Sequence, residues 1–458
     1  MCFVYWLNPK TSSRAVWAWI LSNGGTLRSQ IMSHRPNSAE NARADTPTAS
    51  SKRTVAQTLG LEKWPGVDMP GSGKRGADRR GDDEGKGAST STANPAVGAW
   101  VLALIIVSVG TILRLGMLAL VAVVNDDNVW GLLNKWDAAH YVGIAAEGYF
   151  AGTIGDAPAE EIRLAFFPAF PMIMRVIHNL TGLDFALAGI IFNFLATVCL
   201  ARGIMALSAR WGYGLKGQSA AAIVVTTAPM AIVFNMPYTE ALFGALTIWA
   251  LVALLDKRWW LAGVFIFALS FVRITAIALV AVFAISVLLH AWRSWKAWVA
   301  LVVSPLPLVG YIWWASAQLD GVGGYFGTQD KHWNSGFDAG VATLKWVFQT
   351  LTSTENAGYL LTTLVIIGVP LALVVAWRRV DVGTWLFSLA LSANVILSDG
   401  VMHSRPRLLL PAAVLFIPWA HAALRHLPRW VAWTCIGCWA LFGTWFSAYM
   451  LAVFPWAI

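Results

Sequence analysis

Charge is scarce in this chain. Only 12% of its 458 residues are Asp, Glu, Lys or Arg, about half the share of an ordinary soluble domain, and 57% are hydrophobic. With a mean hydropathy of +0.60, that excludes a water-soluble globule. Cysteine is just as thin: Cys2, Cys199, Cys435 and Cys438 are too few and too scattered for a disulfide framework. No Cys/His set has zinc spacing, and neither a metal site nor a cofactor is indicated. Cys435 and Cys438 form a C-x-x-C inside the apolar run Val431 to Leu441, where two small apolar residues one helical turn apart are the simpler reading than redox chemistry. There is no internal repeat and no basic face. The net charge of +9 divides into +5 over residues 1–96 (13 Lys+Arg against 8 Asp+Glu) and +4 over the other 362 (20 against 16), which leaves no folded surface for a phosphate backbone.

What is abundant is long apolar runs and aromatics, 26 Trp and 22 Phe among them, residues that gather at membrane interfaces and where sugars stack. Residues 23–96 are rich in Ser, Gly, Ala, Thr and charge, and read as a disordered tail. The short run Ala15 to Leu21 is too short to span, and a start at Met32 is a second reading of this region. From residue 97 onward, runs of spanning length fall near 98–124, 182–204, 218–234, 240–255, 297–317, 357–377, 382–398, 406–424 and 430–453. The run 260–290 holds Arg273 at its middle and basic residues at both ends, Lys257-Arg258 and Arg293 with Lys296. Keeping positive loops inside requires it to cross twice, as two short helices turning near Arg273. The expectation is an all-α polytopic membrane protein of 11 crossings over residues 97–458, with residues 1–96 as a cytoplasmic tail. Lys135-Trp136-Asp137, Glu240, Arg273, Gln329 to Asp338 and Ser404-Arg405-Pro406-Arg407 then share the external face, and their convergence points to one site.

The first external segment runs Asn134 to Tyr149 and continues into Leu164-Ala165-Phe166-Phe167-Pro168. If helical from Trp136, it places Asp137, His140 and Tyr141 on one face, with Gly148 as its stop. A carboxylate there can accept a hydroxyl proton, or it can cap an interfacial helix anchored by Trp136 and Tyr141; the two roles are compatible. Glu240 is either a first-turn acid favoured by the helix dipole or a substrate contact. Arg273 either binds phosphate or pairs with Glu240. Arg405 and Arg407 lie on the wrong side for the positive-inside rule, which favours function, because an arginine at membrane depth is costly unless it is paired or used. Trp333 reads as an interfacial anchor or a sugar platform. His140 reads as a phosphate contact or a neutral hydrogen-bonded helix residue, and Asp126-Asp127 as solvated loop residues.

Trp136-Asp137 with His140-Tyr141, Ile144-Ala145 and Gly148-Tyr149, then Phe166-Phe167-Pro168 with Pro171, resembles the hallmark of the PIG-V-like mannosyltransferases, which are GT-C membrane glycosyltransferases. Pro237 to Phe243 resembles that family's Tyr-Ser-Glu-x-Leu-Phe segment, with Thr239 in place of Ser. Ala268 to Arg273 resembles its arginine-bearing helix, and Gln329 with Trp333-Asn334-Ser335-Gly336-Phe337 its Gln…Trp-Asn-x-Gly-Phe loop. Ile274-Thr275 after the arginine departs from the small polar pair of eukaryotic members, and Ser404 to Arg407 looks more like bacterial relatives.

The resemblance implies a GT-C fold and transfer of mannose, with inversion, from polyprenyl-phosphate-mannose to a glycolipid or glycan acceptor on the extracytoplasmic side of the cell membrane. It implies Asp137 as general base. Trp136, His140, Tyr141, Glu240, Arg273, Gln329, Trp333, Arg405 and Arg407 become the candidates for substrate binding. The rival readings are a transporter or flippase, a non-catalytic partner, and an enzyme using another polyprenyl-phosphate sugar.

Overall fold

A computed structural model describes residues 95–353 and 356–457. The readings of the tail, of Ala15 to Leu21 and of Met32 lie outside them. The described chain is helical almost throughout. Its one paired hairpin, Thr153–Ile154 against Ala157–Pro158, turns on Gly155, whose φ of +62° suits glycine.

Helix α1 (Pro95–Val124) is an apolar rod of 30 residues. Helix α2 (Asp137–Glu147) follows in the first loop and stops at Gly148, φ +94°, as the spacing predicts. Helix α3 (Ala169–Thr181) leads to α4 (Phe185–Arg210), which Asp184 caps by accepting from the backbone N–H of Ala186 and Leu187 at 2.9 and 3.1 Å. Helix α5 (Leu215–Thr226) is followed by irregular chain with a 3₁₀ turn, and α6 (Glu240–Leu255) begins on Glu240. Arg210 and Asp256 pair at 2.6 Å and tie the C-terminal ends of α4 and α6.

The run 260–290 is two helices, α7 (Trp259–Leu269) and α8 (Ile277–His290), broken around Arg273 as charge placement predicts. Ser270 Oγ seals the break by donating to the carbonyls of Ile266 and Ser304 at 2.9 and 3.0 Å. Then come α9 (Trp295–Val303), α10 (Leu306–Gln318), α11 (Gly324–Trp333), α12 (Val341–Ser353), α13 (Ala357–Ala376) and α14 (Val382–Ile396). The short α15 (Arg405–Leu408), a 3₁₀ stretch, α16 (Ile417–His426) and α17 (Arg429–Ala448) complete the order.

Most of the expected spans are occupied by helix, and the protein is an all-α polytopic membrane fold, but its spans are not eleven full-length helices. Among the described residues five helical stretches are long and apolar enough to cross, or six if the pair Met402–Leu408 and Leu410–His426, bent by 59°, is one span. Residues 218–234 do not form the expected single helix. α5 ends after 12 residues, about 18 Å at 1.5 Å per residue. The irregular chain after it is tolerated because residues 230–241 are all buried in protein, where other groups satisfy its backbone. Cys435 and Cys438 are free and exposed on α17, in line with the apolar reading.

Candidate active site

The turn before α2 is strained. Trp136 has φ +61° and ψ −126°, a conformation that a bulky residue holds only where its surroundings impose it. Asp137 is the first residue of α2 and makes no cap hydrogen bond, so the capping role expected of it is not what the fold uses. Instead its Oδ2 lies 2.6 Å from Arg407 Nη2. The Arg407 guanidinium rests on the ring of Tyr238 at 5.0 Å, and its Nε and Nη1 have no hydrogen-bond partner in the protein. The Tyr238 hydroxyl donates to the carbonyl of Lys135 at 3.5 Å, which joins this stack to the strained turn.

These groups open on a cavity of about 260 Å³. Its walls include Asp137, Tyr141, Arg273, Gln329, Trp333, Arg405 and Arg407, so seven of the ten residues singled out in the sequence converge from α2, the α7–α8 break, α11 and α15. Arg273 pairs with Glu240 at 2.8 Å and Arg407 with Asp137, whereas among the described residues Arg405 forms no ion pair. Arg405 is held by neutral acceptors, the Thr343 hydroxyl and the Ser398 carbonyl. The cavity therefore has one arginine whose charge no carboxylate offsets by direct contact.

Trp136, His140 and Glu240 do not line the cavity. Trp136 shapes the turn that presents Asp137. His140 stacks on Phe166 at 5.1 Å and meets Trp333 edge-on at 5.8 Å, which braces a cavity wall. Burial lowers its pKa, with Arg163 adding to the effect and Asp137 opposing it, in line with the neutral reading. Glu240 is buried and reaches the site through Arg273. Asp126 and Asp127 are not among the lining residues. Sequence reasoning missed Tyr325, Asn394, Ser398 and Asp399, all on the cavity wall. Asp399 had a signal, since it stands in the turn just before Ser404-Arg405-Pro406-Arg407. Among the described residues no three His, Cys, Asp or Glu side chains converge as metal ligands.

Helix α11, which carries Gln329 and Trp333, is fastened by the short helical segment Ala159–Arg163 that follows the hairpin. Glu161 accepts from Lys331 at 2.8 Å and contacts His332 Nε2 at 3.0 Å, and Thr328 Oγ1 donates to the Glu161 carbonyl. These contacts hold the Glu161 carboxyl below the usual carboxylate range.

Comparison with known proteins follows the same residues. Residues 110–297 match the family model described as mannosyltransferase (PIG-V). GPI alpha-1,6-mannosyltransferase 2 of Mus musculus is 30% identical over 158 residues, 31% of this chain and 29% of that protein. The protein of the same name from Cricetulus griseus is 30% identical over 195 residues, 39% of this chain and 35% of that protein. The matched stretch thus spans about a third of the length of the curated relatives. No solved structure matches. The stretch that matches the PIG-V mannosyltransferase model contains Asp137, Tyr141, Glu240 and Arg273, the last two joined by the ion pair between α6 and the α7–α8 break.

Proposed function

We propose that this protein is a membrane mannosyltransferase that moves mannose from polyprenyl-phosphate-mannose to a glycolipid or glycan hydroxyl, with inversion, at the extracytoplasmic face of the cell membrane. The observation that carries the reading is the cavity in which Asp137 is paired with Arg407 at 2.6 Å beside Arg405, whose charge is unpaired. A base, two cations and a polar wall at a helix-rich membrane boundary are what transfer from a lipid phosphate requires.

In this mechanism the acceptor hydroxyl lies against Asp137. As its oxygen bonds to the anomeric carbon, the bond from that carbon to the phosphate oxygen breaks and its electron pair leaves with the polyprenyl phosphate. The hydroxyl proton passes to the Asp137 carboxylate. Arg407 holds that carboxylate in place with one nitrogen, and its charge on the cavity wall favours the departing phosphate. Arg405 supplies a charge that no carboxylate contacts directly, Gln329 and Tyr141 can bond sugar hydroxyls, and Trp333 gives a ring for the sugar to stack on.

Charge placement supports the orientation. The Arg210–Asp256 pair and the basic Lys257-Arg258 lie at the C-terminal ends of α4 and α6, while the site residues Tyr238, Thr239 and Glu240 lie at the other end of α6.

The test is transfer of labelled mannose in proteoliposomes supplied with the lipid-phosphate donor and extracted membrane glycolipids. Asp137→Asn, compared as protein that elutes as a single folded species because the variant breaks the pair with Arg407, should lose about 10²–10⁴-fold in rate. Activity within a few-fold of wild type would remove Asp137 from its role, and transfer from a nucleotide sugar instead would overturn the donor.

A further inference from the structure

Arg114 lies in the third quarter of α1, a helix that faces mostly outward, yet it is only 1% exposed. Its Nη1 donates to the carbonyl of Thr226 at 2.7 Å, its Nε to Asn235 Oδ1 at 2.7 Å and its Nη2 to Thr111 Oγ1 at 3.4 Å. Among the described residues it has no ion pair. A cation at this depth without a carboxylate is costly, and the compensation visible here is the negative, C-terminal end of α5, whose last residue is Thr226. The arginine thus supplies the donors that the carbonyl of Thr226 and the side chain of Asn235 would otherwise lack where the helix stops.

The chain from Thr227 to Thr239 is pinned elsewhere as well. Asn193 Nδ2 donates to the carbonyls of Met236 and Tyr238 at 2.6 and 2.7 Å, and Ser447 Oγ accepts from the Ile232 N–H at 3.3 Å. The far end of this segment delivers three contacts to the site. Tyr238 lies under Arg407, Thr239 Oγ1 meets the Tyr141 hydroxyl at 3.4 Å, and Glu240 pairs with Arg273. Asn235, which Arg114 holds, is three residues from Tyr238.

We infer that Arg114 is a positioning residue: by fixing the interruption between α5 and α6 it sets the register of Tyr238, Thr239 and Glu240, and through them the placement of Arg407 and Arg273. Lysine at this position keeps the charge but cannot hold Thr226 and Asn235 in one planar fork. This inference rests on the transfer reading above, and its test includes a measurement that does not.

Hydrogen exchange and transfer rate are measured on purified wild type, Arg114→Gln, Arg114→Lys and Asn235→Leu. Asn235→Leu keeps the cation, removes one acceptor and stands in if the Arg114 variants do not elute as single species. The expected result is faster exchange confined to residues 227–240, with α4 unchanged. Transfer should fall on the order of 10²-fold, the scale of a small misplacement. The loss should be non-additive with Tyr238→Leu, since both act on one contact. Unchanged exchange in residues 227–240, faster exchange spread evenly over the protein, or additive losses would overturn the inference. A wild type that exchanges as expected yet transfers nothing would count against the transferase reading alone.

Discussion

Glu240 and Arg273, 33 residues apart, form an ion pair at 2.8 Å that joins the first residue of α6 to the break between α7 and α8. The carboxylate is almost wholly buried and its Oε2 has no partner in the protein, while the guanidinium reaches the cavity wall and lies 5.8 Å over the ring of Phe243. Each charge is tolerable where it lies because the other is there.

The first prediction follows. Arg273→Gln leaves a buried carboxylate without its cation and should destabilise the protein by about 3–5 kcal/mol, the cost of breaking a buried pair. Glu240→Gln with Arg273→Gln should recover most of that loss. Denaturation midpoints of the two variants in one detergent check it, and a double variant as unstable as the single one would contradict a pairwise origin.

A second prediction concerns pH. The Glu161 carboxyl is held below its ordinary range by Lys331 and His332, so the folded state holds this proton less tightly than the unfolded state. The stabilisation is present above the ordinary carboxylate pKa and is lost as pH falls through the lowered value. Relative to the intrinsic exchange rate at each pH, amides of α11 should therefore exchange faster below about pH 4 than at pH 7, taking the ordinary Glu value as the reference. Glu161→Gln should show the faster behaviour at both values, and equal pH dependence in that variant would assign the effect elsewhere.

The third prediction tests the interruption from the other side. A methyl group on Gly443 would collide with the carbonyl oxygen of Thr227, a backbone atom that cannot turn aside. Gly443→Ala should cost about 1–3 kcal/mol as an overpacking change, while Gly437→Ala on the same helix, where nothing lies within 4 Å, should be neutral. Thermal stability of the two variants in one detergent compares them directly.

Much of this was readable along the chain. The division of the run 260–290 came from Arg273 and the basic residues at its ends, because charge position is a strong constraint in a bilayer. Gly148 as the stop of α2 and the closeness of Asp137, Tyr141 and Arg407 also followed from pattern and resemblance. Arg114 was there to be read as well, an arginine inside a long apolar run, yet nothing local distinguishes an arginine that serves a substrate from one that braces a broken helix. Asp399 went unnoticed because a single acid in a loop carries no periodicity.

The amino-acid order by itself determined the class of molecule and the segments that enter the membrane, since apolar length and charge position are local properties that the bilayer reads directly. It also determined which polar residues are too costly to be incidental. Only the tertiary structure decided how those residues are paired: Asp137 with Arg407, Glu240 with Arg273, Arg405 with no carboxylate in direct contact, and Arg114 with the end of α5. Pairing depends on distances between helices far apart in the chain, and packing, which sequence spacing does not encode, sets those distances.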